Sequence, residues 1–239
     1  MTKSSLIEKL KVLEEGLPCT PESGFLGTDL DPEECSLILV PVPWEATTSY
    51  GGGTSQGPKA IMKASHQLDL EDSSFGKSYR AGIAFIEPNS EIAALNSTAK
   101  EAAQEVIAAV SERNSSPENL AIVNQAGLRV NEIVNEEVEH WLAKGKFVAV
   151  VGGDHSSPQG LIEALSKRYT EGFGILHFDA HHDLRSEYEG FKFSHASIFY
   201  NVMHEFKNVS KIVQVGIRDY SRDEKNFMIQ LKERGHCFY

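Results

Sequence analysis

An apolar run that stops on a cluster of metal-type donors constrains this chain more than any other feature. Phe173 to Phe178, inside GFGILHFDAHHDLR (172–185), predicts a buried parallel-type strand, and Asp179, His181 and Asp183 follow it directly. In extended chain, residues at i, i+2 and i+4 share a face, so both carboxylates and the imidazole are expected on one side of the strand's end. Open α/β sheets place ligands at that carboxyl end. Two ionised carboxylates in one pocket repel unless positive charge lies between them. Mixed carboxylate and imidazole donors suit Mn, Zn or Fe better than Ca, and the lack of thiolates disfavours structural zinc. A polar strand end facing solvent is the competing reading of this motif taken alone.

A second stretch changes the balance. FVAVVGGDHSS (147–157) reads as another apolar strand running into Gly152, Gly153, Asp154 and His155, followed by the helix-like LIEALSKRY. Two strand ends of one sheet can meet although they are far apart in sequence, which makes His155 a fourth ligand candidate. A turn histidine is the alternative. Asp154 is expected to orient a ligand or to cap the following helix.

At this point the chain resembles a known family. VGGDHS, HFDAHHDLR and the later SHAS are similar to the ureohydrolases (arginase, agmatinase, formiminoglutamase), and DAHHDLRSEYEG followed by SHAS most resembles agmatinase. The resemblance runs from about Leu37 to the C-terminus. It implies a three-layer, arginase-like α/β fold with a mostly parallel sheet and a binuclear Mn2+ site. Asp179 would bridge the metals, His155 and Asp183 would complete one set of ligands, and His181 would bind the other metal. His195, in FSHASIFY, matches the family histidine that shuttles protons near the substrate. The implied reaction is attack of a metal-bridging hydroxide on a guanidinium carbon, giving urea and an amine. Agmatine, cleaved to putrescine in polyamine biosynthesis, is the first expected substrate. Guanidinobutyrate, formiminoglutamate and arginine are alternatives, and a homo-oligomer is expected.

Composition is consistent with this reading. With 239 residues, 41% hydrophobic and 24% charged, the chain can bury one large core or at most two small ones. A formal charge of −11 argues against nucleic acid as a partner and is compatible with a small cationic guanidino substrate. Cys19, Cys35 and Cys237 have no metal-like spacing and read as free thiols of a reducing compartment. The N-terminus has neither a signal peptide nor a membrane-length apolar run, so a cytoplasmic protein is expected.

Strand and helix alternate along the chain, predicting one α/β domain over 1–239 in which 1–34 form a surface helix (4–16) and an irregular connector. Strands are expected at 36–43, 81–87 and 211–220. NLAIVNQAG reads as a further strand leading into a helix from about Val130 to Lys144. The glycine-rich loop 44–57 has the glycine spacing of a phosphate loop, but Pro58 stands where that motif needs Lys, so a helix start is expected there instead. In the resembled family this loop borders the active-site mouth. It serves equally well as a plain turn. His177 reads as a hydrogen-bonded core histidine and His182 as a packing or surface residue, while Arg185 and Glu187 line the pocket or pair with each other.

The match also breaks. The family carries a third motif, S-x-D-x-D-x-x-D-P, which supplies a second bridging Asp, and it is absent from these residues. The resemblance therefore implies an N-terminal part of a ureohydrolase, with a sheet incomplete at its C-terminal side and exposed edges. A non-catalytic metal-binding remnant or assembly subunit is the alternative function, and a deacetylase of a related fold is disfavoured by the paired G-G-D-H motif.

Overall fold

The computed structural model describes residues 4–15, 20, 22–48 and 50–239. In chain order the elements are α1 (Ser4–Glu14), β1 (Leu37–Val42), α2 (Gly57–Ala64), β2 (Ile83–Phe85), α3 (Ser90–Ser111), α4 (Pro117–Ala143), β3 (Phe147–Gly152), α5 (Gln159–Arg168), β4 (Phe173–Phe178), α6 (Ile198–Glu205), β5 (Val209–Val215), α7 (Arg222–Gln230) and β6 (Gly235–Phe238). Cys19 and the prolines at 18 and 21 lie outside the described residues. Cys35 is buried and Cys237 half-buried, and both are free.

Every strand pairing is parallel, as the alternating pattern requires. Among the described residues the strands form two three-stranded sheets, in the orders β2-β1-β3 and β4-β5-β6, where a single sheet was expected. Among the described residues the outer edges of β3 and β4 have no strand partner. β4 also departs from its predicted burial on both faces. Phe173, Ile175 and His177 turn inward, but Leu176 and Phe178 on the opposite face are 62% and 70% exposed. The run is apolar on both faces, as a central strand should be, and only one face is covered.

Each sheet has its own core. Ile38, Val40, Val42 and Trp44 pack against Ala126, Val130, Ile133, Val134 and Trp141 of α4. In the second core, Val209 and Ile212 of β5 meet Ile198, Val202 and Met203 of α6 and Met228 of α7. Helix α5 serves both, with Leu161, Ala164 and Leu165 on the first cluster and Ile162 on the second. That division follows from helical spacing, in which i, i+3 and i+4 share a face.

The predicted strand at NLAIVNQAG is instead the first half of α4, one helix of 27 residues. Val123, Ala126, Val130, Ile133 and Val134 recur every three to four residues and are all buried, so the helical period prevails over the local β propensity. α3 starts at Ser90, where the Asn89 side chain accepts from the Glu91 N–H. Gly235 opens strand β6.

Candidate metal centre

The site lies at the carboxyl ends of β3 and β4. Immediately after β3 the chain turns so tightly that a Cβ on Gly153 would stand 2.0 Å from the Trp44 carbonyl oxygen. Only glycine fits, and the contact is kept by hydrogen bonds from the Gly153 N–H to the Val42 carbonyl (3.3 Å) and from the Asp154 N–H to that of Trp44 (2.8 Å). Asp154 is buried, and its Oδ1 accepts from the Ser156 N–H (2.9 Å) and hydroxyl (2.5 Å). It thus holds the turn that presents His155 rather than capping α5, whose N-cap is Pro158.

Beyond β4, Asp183 sits at φ 52°, a left-handed backbone that costs about 1–2 kcal/mol in a residue other than glycine. Its surroundings over-determine that conformation. The Asp183 carbonyl accepts from the Phe199 N–H (3.0 Å), the Arg185 N–H donates to Ala196 (3.1 Å), and the Leu184 N–H donates to Glu224 Oε1 (3.3 Å). Of the two readings of Arg185, pairing with Glu187 is replaced by a contact with Glu224 at 3.5 Å, and the guanidinium stacks over Tyr188.

These two turns bring His155, Asp179 and Asp183 together. With His177 they offer one ligand atom each, all within 4.8 Å of one another. His155 Nδ1 lies 2.6 Å from Asp183 Oδ2 and 3.4 Å from Asp179 Oδ2. Burial works against a charged His155 ring, but the hydrogen bond to Asp183 and the charges of Asp183 and Asp179 outweigh it and raise its pKa. Burial likewise opposes charge on Asp179. The N–H of His181 and the neighbouring imidazoles outweigh that and hold its pKa below the ordinary carboxylate value. The imidazole therefore occupies the electrostatic place of a cation between two acids.

His181 is not in this group. It is exposed, with Nδ1 3.2 Å from the other oxygen of Asp179 and Nε2 3.7 Å from Asp219. His182 is fully buried, as a packing residue should be, and hydrogen-bonds Gln214. His177 is also a hydrogen-bonded core histidine, although its Nε2 reaches 3.5 Å from Asp179 Oδ2. Burial and the charge of His155 lower its pKa. His195 is not one of the four; it stands edge-on to Tyr188 at 5.5 Å, and its buried Nδ1 has no hydrogen-bond partner among the described residues.

Sequence reasoning missed Glu45. This buried carboxylate accepts from the Gly53 N–H (2.6 Å), the Ser55 N–H (2.9 Å) and the Thr54 hydroxyl (3.1 Å), and it is ion-paired with Lys100. It shapes the glycine-rich loop, where Gly51, Gly52 and Gly53 all have positive φ, and that loop packs Gly57 against Gly152 beside the site. A single Glu in a polar loop carries no sequence signal. Only the density of Gly and hydroxyl residues after it hints at a buried acceptor.

Fold and site together define a parallel α/β protein with a carboxylate and imidazole cluster at adjoining strand ends. The arginase family model matches residues 35–236, and the chain belongs to the arginase family. It is 31% identical to an N(1)-aminopropylagmatine ureohydrolase of Thermus thermophilus over 192 residues, covering 80% of this chain and 54% of that protein. It is 26% identical to the agmatinase of Bacillus subtilis, covering 84% and 58%. Among solved structures, the agmatine ureohydrolase of Thermoplasma volcanium superposes with a TM-score of 0.61 at 22% identity, over 87% of this chain and 58% of that one. A Trypanosoma cruzi formiminoglutamase variant crystallised with Mn2+ gives 0.65 at 15%, over 90% and 63%. The chain spans about half the length of the curated relatives it matches.

Proposed function

We propose that this chain carries one half of a manganese-dependent ureohydrolase site that cleaves a guanidinoalkylamine of the agmatine type to urea and an amine. The observation that carries the reading is the convergence of His155, Asp179 and Asp183 from two separate strand ends. Their hard oxygen and imidazole donors fit a divalent cation of the manganese class. Such an ion supplies Lewis acidity and a lowered water pKa when bound. The two oxygens of Asp179 face different ways, Oδ2 toward His155 and His177, Oδ1 toward His181, which supports a bridging role for Asp179 and a ligand role for His181 at a second ion. His195 would hold the proton destined for the leaving nitrogen.

The open edges of β3 and β4 favour a working site completed by further strands, with this chain as one part of a larger, homo-oligomeric enzyme. Calorimetric titration with Mn2+ and urea release from agmatine and aminopropylagmatine test the reading together. Expected is metal binding by this chain that His155→Ala and Asp183→Asn abolish, with turnover only where further ligands are supplied. Unchanged binding in both variants would overturn the site. Efficient agmatine hydrolysis by the 239 residues alone would overturn the claim that it is incomplete.

A further inference from the structure

His177 is one of four residues whose donor atoms cluster, and by composition alone it reads as a fourth metal ligand. Its hydrogen bonding excludes that. His177 on β4 and Gln214 on β5 are register partners in the parallel sheet, so their side chains share a face. The Gln214 side chain is fully buried and makes three contacts: Nε2 to the His182 carbonyl oxygen (2.8 Å), Nε2 to His177 Nδ1 (2.9 Å), and Oε1 to His182 Nδ1 (2.5 Å).

The His182 carbonyl fixes which way this amide points. A flipped Gln214 would set Oε1 against another acceptor at 2.8 Å, so the NH2 group must face the carbonyl. Its second N–H is then given to His177 Nδ1, which must accept. An imidazole that accepts at Nδ1 carries its proton on Nε2. That Nε2 is the atom facing the cluster. It is buried, has no hydrogen-bond partner among the described residues, and lies 3.5 Å from Asp179 Oδ2. Phe199, with its ring centroid 4.4 Å away, packs against the imidazole and holds its plane.

We infer that His177 presents a fixed N–H donor to the oxygen atoms of the site and is not a metal ligand, and that Gln214 is the positioning residue that sets this tautomer. The ligand class that suits such a donor is an anionic or water oxygen, whether of Asp179 or of a group bound beside it. A cation is directed away from His177 and toward the lone pairs of His155, Asp179 and Asp183. This rests on the metal-site reading above, but it concerns a proton's location, which is read without substrate or turnover.

Two-bond 1H–15N correlation spectra of the uniformly labelled chain locate that proton, with His177→Gln identifying the His177 signals. The expected spectrum has Nε2 of the protonated, pyrrole type and Nδ1 of the unprotonated, pyridine type. Both should persist when Zn2+ is added, while the His155 nitrogens shift. Gln214→Leu should release the constraint and leave two tautomers in exchange. A proton on Nδ1 in the unsubstituted chain, exchange between tautomers there, or loss of the Nε2 proton on Zn2+ addition would each overturn the inference. If His155 fails to respond while the His177 tautomer is as expected, the metal-site reading fails and the tautomer assignment stands.

Discussion

Replacing Glu45 by Gln keeps the size of the side chain and removes its charge, which isolates what the carboxylate contributes to the glycine-rich loop. Burial opposes ionisation of Glu45, but Lys100 and the donors from Ser55, Thr54 and Gly53 outweigh it and bring the pKa from 4.5 down to about 2. A depressed carboxylate pKa means stability that is present above the unfolded value and lost as pH falls through the folded one. At 1.36 kcal/mol per unit, that depression corresponds to about 3 kcal/mol near pH 6, falling to roughly half at pH 3. Lys100 is part-exposed and can rehydrate, so the loss in Glu45→Gln should not exceed this figure. Urea denaturation of both proteins at pH 6 and pH 3 measures the difference. A gap near 3 kcal/mol that narrows with acid supports the reasoning. A gap of the same size at both pH values, or none at pH 6, would refute it, because only the ionised carboxylate is assigned the stabilising role.

Gly153→Ala forces a Cβ onto the Trp44 backbone, where no side chain can give way. It should cost about 1–3 kcal/mol in chemical denaturation and weaken Mn2+ binding through displacement of His155. Phe191→Ala empties a fully buried position between α3 and α4 and should cost about 3–5 kcal/mol, with a Tm shift as the readout. Leu176→Lys and Phe178→Lys place charge on the uncovered face of β4. Light scattering should show less self-association with stability changed by under about 0.5 kcal/mol, and unchanged association would mean this face is not the adhesive one.

The ligand-bearing turns were legible because their grammar is local. An apolar run followed by D-x-H-x-D marks the strand and its donor-rich end, and Asp179 and Asp183 do come together with His155 there. His181 does not join Asp183, because the strand ends at Phe178 and Asp183 already has left-handed backbone, so strict alternation lapses within four residues. The α4 segment was misread since Leu, Ile and Val with intervening Asn suit a strand over nine residues. The helical period emerges only over the full run to Trp141. Glu45 and Gln214 were invisible for a different reason. The ion-pair partner of Glu45, Lys100, lies 55 residues away, the partners of Gln214, His177 and His182, lie 37 and 32 residues away, and a lone Glu or Gln gives no sign of which distant group will meet it.

Because His155 hangs from one sheet and Asp179 and Asp183 from the other, an ion held among them would stitch together two sheets that are also joined through α5 and through the contacts of residues 190–193 with α3 and α4. Occupancy and cohesion then become a single equilibrium. Anything that pries the halves apart would discharge the ion, and chelation should let them melt out of step.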